Sequence, residues 1–106
     1  MAAFPLRIVY MKQRVDVLGD NTEVPPVSIL ISVPKKRFRH AVDRNRMKRL
    51  IRETYRTNKH ILWDVLKDKD YRILLAFVCI TDKMPSYVMV RKSVVKALTR
   101  ISESLA

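Results

Sequence analysis

Ile31 to Arg56 reads ISVPKKRFRHAVDRNRMKRLIRETYR, and the change of hydrophobic period inside it decides the fold. Its first residues close the run VSILISV, Val27 to Val33, whose β-branched and aliphatic side chains predict a strand. Pro34 lacks the amide that a continuing ladder needs, so the strand stops there. KKRFRH is a basic connection, and a helical pattern opens near Asp43, whose carboxylate suits the cap of the first free amides. With Met47 set at zero and each residue turned by ~100°, Leu50, Ile51, Thr54 and Ile61 fall within roughly 60° of it. That apolar face is expected to pack on a sheet, in a helix running to the region of His60. Lys48, Lys59, Arg52, Asn45, Arg56 and Arg49 fall between about 100° and 200°, a continuous outward strip, and Arg44 and Arg46 flank the first turn.

Upstream, Leu6, Ile8 and Tyr10 alternate with Arg7, Val9 and Met11, which predicts a strand over Leu6 to Lys12 with one more polar face. VDVLGDNTEVPP, Val15 to Pro26, holds the single glycine and a proline pair and suits a surface connection. Downstream, Ile61 to Lys69 is ambiguous, with Trp63 and Leu66 expected under the helix end and KDKD as a turn. Tyr71 to Ile80 is apolar at nearly every position and reads as a fully buried central strand. A last helix from about Ser86 carries Val90, Val94, Leu98, Ile101 and Leu105 as one stripe, with Lys92, Lys96 and Arg100 opposite. The order strand, strand, helix, strand, helix predicts an α/β fold of the two-layer α+β type. A small mixed sheet carries packed helices, and the strands on either side of the basic helix are parallel. The 106 residues form one domain, 1–106.

Charge bounds the function. Twenty-two Lys and Arg against ten Asp and Glu give +12, an excess that finds its counter-charge on a polyanion. Eleven of those cations lie between Lys35 and Lys59, with only Asp43 and Glu53 opposing them. Half the positive charge in about a quarter of the chain marks a surface rather than a scatter. Arginine suits such a surface because its planar fork binds one phosphate through two hydrogen bonds and stacks on bases, and Asn45 adds a donor and an acceptor. The amides of the first helical turn, near Arg44 to Met47, offer a further anion site. About six neutralised phosphates would give a slope of roughly −4 to −5 in log affinity against log salt.

Other classes fit less well. Two-metal hydrolysis needs clustered carboxylates, and the ten acids show no ligand constellation; His40 and His60 have no cysteine partners for zinc. A single cysteine, Cys79, excludes an internal disulfide, no apolar run of membrane-spanning length occurs, and MAAFPLRIVY is no signal peptide. The expectation is a cytoplasmic protein with no membrane partner. A DNA-binding protein reading the major groove and a ribosomal protein remain open on composition alone.

At this point the residues acquire a family. Ser-Val-x-Lys-Lys, a short connection and Ala-Val-x-Arg-Asn-Arg-x-Lys-Arg-Leu-x-Arg, as they stand in Ser32 to Arg52, resemble the signature of the bacterial ribonuclease P protein component. The order of elements agrees over most of Leu6 to Ala106. The resemblance implies an RNA-binding subunit of ribonuclease P that assists a catalytic RNA in magnesium-dependent removal of the 5′ leader from precursor tRNA, with no catalytic residue and no metal site of its own. It implies that Arg44, Asn45, Arg46, Lys48, Arg49, Arg52 and Arg56 contact ribonuclease P RNA. Tyr10, Ser32, Lys35 and Lys36 match positions lining a cleft for the single-stranded leader, although Tyr10 alone reads equally well as a partly buried strand tyrosine. The implied fold is like the second domain of ribosomal protein S5, with a left-handed βαβ crossover against the usual right-handed rule.

Two departures from the family stand out. RFRH is about one residue longer than common forms, with Phe38 inserted among bases. The family also carries a basic N-terminal helix with phenylalanines that walls the leader cleft, whereas here only five residues precede Leu6. A shortened chain, a start downstream of the natural one and loss of the element in this branch are all compatible with the sequence. Without that helix, leader contacts should weaken, and the bared sheet face would favour self-association.

Overall fold

The computed structural model describes residues 2–14 and 25–105. Most of the expected connection over Val15 to Pro26 therefore lies outside the described residues. Seven elements follow one another: β1 (Ala2–Ala3), β2 (Leu6–Arg14), β3 (Val27–Ser32), α1 (Ala41–Asn58), α2 (His60–Leu66), β4 (Tyr71–Cys79) and α3 (Tyr87–Leu105). They build a four-stranded mixed sheet of order β1-β2-β4-β3 with helices packed on it, the expected α/β class.

β4 is central. It pairs antiparallel with β2 from Leu6↔Cys79 to Arg14↔Tyr71, and parallel with β3 from Val27↔Ile73 to Ser32↔Val78. The parallel pair is the one joined through α1 and α2, as a helical crossover requires. Full burial of β4 is corrected: Ile73, Leu75, Phe77 and Cys79 are buried, but Arg72, Leu74, Ala76 and Val78 are only half-buried. Helices cover one face of the sheet and leave the other open, where Val9, Met11 and Leu30 are exposed. An apolar run therefore signals a central strand here without signalling two covered faces.

α3 is the keel of the helical layer. Val90, Val94, Leu98, Ile101 and Leu105 are all buried, and the helix touches α1, α2, β1 and β2. Ser86 Oγ accepts from the Met89 amide at 3.2 Å, a serine cap that fixes where the helix begins. β1, which the sequence does not predict, pairs with β2 and is tied down where Ser93 Oγ donates to the carbonyl of Ala3. The Phe4–Pro5 bond between β1 and β2 is cis.

α1 starts at Ala41, two residues before the expected cap. His40 occupies the cap position in an extended conformation without a side-chain bond. Order comes instead from Arg44, whose guanidinium donates back to the carbonyls of Phe38 and Arg39 at 3.0 and 2.9 Å. The Arg44 amide donates to the His40 carbonyl at 3.1 Å, and Asn45 to Met47 also lie inside the helix. The anion site expected on the amides of Arg44 to Met47 is thereby corrected, since those amides belong to the helical ladder. Asp43 sits in the first turn, where the helix dipole favours its charge.

Met47, Ile51, Thr54, Tyr55 and Asn58 are the buried face of α1, which packs mainly on α3 and also on β3. Leu50 and Ile61, expected on this face, are half-buried against the core. Buried polar groups are satisfied locally, Thr54 Oγ1 on the Ile51 carbonyl at 2.9 Å and Asn58 Nδ2 on the Thr54 carbonyl at 2.8 Å. After Lys59 the ambiguous stretch becomes α2, which buries Leu62 and Leu66. Among the described residues no helix is long and apolar enough to cross a membrane.

Candidate nucleic-acid interface

The link KKRFRH, which leads from β3 into α1, is held at four points. Arg37 and Phe38 donate their amides to the Pro34 carbonyl at 3.0 and 3.2 Å, closing a turn. Phe38 is buried in the core and anchors the link there. Arg37 reaches Asp82 Oδ1 at 3.2 Å across the end of the sheet, and Arg44 clamps the link from the helix side. Lys35, Lys36, Arg39 and His40 remain exposed.

From this anchorage α1 presents its polar strip to one groove of about 690 Å³. All six residues placed on the strip by the helical wheel, Asn45, Lys48, Arg49, Arg52, Arg56 and Lys59, line it. Ile29 of β3 together with Tyr55 and Trp63 completes the wall, and Glu53 is the one acid. Five cations against one carboxylate leave a net +4 along the groove. Clustered fixed charge of one sign in a concave surface focuses the field and attracts a polyanion more strongly than the same charges spread out.

Glu53 and Arg56 are not independent. Arg56 Nη2 and Nε donate to the two carboxylate oxygens at 2.5 and 3.2 Å. That bond holds the Glu53 carboxyl below its ordinary range and raises the Arg56 guanidinium. Both side chains are solvent-exposed, so the pair contributes little to stability and mainly holds one arginine fork in place.

The aromatic end of the groove is the part that the sequence did not assign to the site. Trp63 Nε1 donates to the Tyr55 hydroxyl at 2.8 Å, and Tyr55 meets Phe77 edge-on with centroids 6.2 Å apart. Burial pushes the Tyr55 hydroxyl up, against the opposing bond from Trp63. Lys59 Nζ lies 4.4 Å from the centroid of the Trp63 ring.

Arg44 and Arg46 do not line this groove: Arg44 is turned to the link, and Arg46 is exposed on the helix surface. The four residues matched to a leader cleft are not brought together on one face. Tyr10 pairs in register with Leu75 and points to the helix side, where its hydroxyl lies 3.2 Å from Ser104 Oγ. Ser32 pairs in register with Val78 and belongs to the open side, with Lys35 and Lys36 exposed in the turn that follows. Among the described residues no group of three or more His, Cys, Asp or Glu could hold a metal ion.

Comparison with known proteins gives this arrangement a family. The Ribonuclease P family model matches residues 4–102. The ribonuclease P protein component of Porphyromonas gingivalis strain W83 is 46% identical over 99 residues, covering 93% of this chain and 68% of that protein. The Chlorobium phaeobacteroides protein of the same name is 30% identical over 103 residues, covering 91% of this chain and 68% of its own. That of Chlorobaculum tepidum is 47% identical over 57 residues, 50% of this chain and 37% of its own. No solved structure gives a significant match. A basic groove on the helix that carries the signature, together with this similarity along nearly the whole chain, places the protein in the ribonuclease P protein component family.

Proposed function

We propose that this chain is the RNA-binding protein subunit of ribonuclease P and that the α1 groove holds the RNA that removes the 5′ leader from precursor tRNA. The observation that carries the reading is the convergence of Asn45, Lys48, Arg49, Arg52, Arg56 and Lys59 on one groove. Phosphates would be bound there by arginine forks and lysine point charges, with counterion release as the driving term. Arg46, exposed beside the groove, extends the same surface. Arg44 supports it indirectly by fixing the link that leads into α1.

Leader contacts are assigned to Ser32, Lys35 and Lys36, where β3 runs out onto the open side of the sheet. Tyr10 contributes there only through the strand that it braces against Ser104. On this reading the magnesium ions of the reaction belong with the RNA, as the family resemblance implies. A cytoplasmic setting fits the free, buried thiol of Cys79.

Reconstitution tests this function. Precursor tRNA cleavage is measured at low magnesium with bacterial ribonuclease P RNA, with the protein, and with both. Cleavage should be faster with both than with RNA alone and absent with protein alone. No acceleration would remove the assignment, and so would cleavage by the protein by itself.

A further inference from the structure

The groove does not end on α1. Trp63 and Lys59 line it and also line an adjoining hollow of about 230 Å³, whose other walls are Pro26, His60, Asp64 and Lys67. The same indole and the same ammonium therefore stand where two concavities meet. The Trp63 ring is only half-buried, and its orientation is fixed by the bond from Nε1 to the Tyr55 hydroxyl. The Lys59 ammonium lies over one face of the ring, 4.4 Å from its centroid.

A flat aromatic face in a positive groove is what an unpaired base requires. In a duplex the base faces are hidden by stacking, whereas a single-stranded nucleotide can lay its ring on an aromatic side chain while its phosphate meets a cation. We propose that Trp63 seats one unpaired nucleotide, its base stacked on the indole and its phosphate held by Lys59 and Arg56. This rests on the reading of the groove as an RNA site and adds the kind of nucleotide that its far end takes.

Lys59 does not block the seat. An exposed cation over an aromatic ring is worth ~2- to 5-fold in an equilibrium. Stacking of a base on such a ring is worth ~5- to 100-fold. Exchange of the ammonium for a base, with the ammonium moving onto the incoming phosphate, is therefore favourable. The bond that holds Trp63 also explains why the ring stays in the groove when Lys59 leaves: Tyr55 is buried and braced on Phe77.

Trp63 is the single tryptophan of the chain, so its fluorescence reports this position alone. The full chain is titrated with a single-stranded oligoadenylate of about 12 nucleotides and with a paired hairpin of equal phosphate count. The single strand should quench the indole and the hairpin should not. Trp63→Ala should weaken single-strand binding by ~5- to 100-fold and hairpin binding by less than about twofold.

Trp63→Phe loses the bond to Tyr55 but keeps a ring, so it should retain most of the single-strand affinity. If it fails as badly as Trp63→Ala, the residue only braces Tyr55 and the inference falls. Equal quenching by both RNAs, or none by either, also overturns it. Arg49→Ala with Arg52→Ala separates the two levels: it should weaken both RNAs, and if neither responds, the RNA-site reading beneath has failed instead. Separate titrations with ribonuclease P RNA and precursor tRNA identify which supplies the nucleotide, and quenching by either supports the seat.

Discussion

α1 and α3 are nearly equal in length, 18 and 19 residues, and both carry cations on an outward face, but it is the cations of α1 that line the groove of about 690 Å³. α3 buries eight residues, from Val90 to Leu105, and its Lys92, Lys96 and Arg100 stand exposed. α1 buries five, two of them polar, and its strip is walled by Ile29 from β3 and Trp63 from α2. The difference is that neighbouring elements give the charge on α1 a concave wall. On the reading that the α1 groove holds RNA, packing falls mainly to α3 and binding to α1.

The division can be broken most forcefully at α3. Leu98→Ala, at a fully buried position, should cost about 2–5 kcal/mol in urea unfolding while leaving RNA affinity per folded molecule unchanged. A matching loss of affinity would mean that the helices are not separable. Next in size, Arg49→Ala with Arg52→Ala should flatten the salt dependence of RNA binding by ~1.4 to 1.8 in slope, with little effect on stability. Replacing Lys92, Lys96 and Arg100 together should leave the slope alone; an equal flattening would abolish the distinction.

Arg44→Ala sharpens the comparison at the start of α1. Losing two charge-assisted bonds at the partly solvated link should lower stability by about 1 kcal/mol in thermal unfolding, and Arg44→Lys should not restore it, because one ammonium cannot reproduce the fork. The smallest effect belongs to Glu53. Its folded-state carboxyl is depressed by Arg56, so the pair is intact above the ordinary carboxylate range and is lost as pH falls through the lower folded value. Binding should therefore be flat around neutral pH with respect to this group, and Glu53→Gln should tighten RNA binding by roughly twofold.

Much of this was legible because it depends on local period. The α3 stripe, the outward α1 strip and the parallel pair around α1 follow from spacing and connection. What was not legible depends on distant partners. β1 is two alanines with no period to read, held through Ser93 and β2. The start of α1 is set by a side chain reaching backwards, where a capping rule looks for Asp43. Tyr10 and Ser32 fall on opposite faces because of their register with Leu75 and Val78, and the strand lengths alone do not fix that register. Trp63 read as a core residue because its place in the groove depends on its bond to Tyr55, eight residues back on α1, which no local period shows.

β3 has a second role at the end of the sheet order. Among the described residues no strand pairs with its outer edge, and such an edge invites a further strand from another molecule. The strand is short, six residues, and it is fenced: Pro25 and Pro26 precede it and Pro34 follows closely behind it. Pro26 still gives its carbonyl to the Ile73 amide at 2.9 Å, so the proline serves the inner ladder while offering no amide to an outsider. The wall strand of the groove thus ends the sheet as well, and growth by strand addition is discouraged beside the groove.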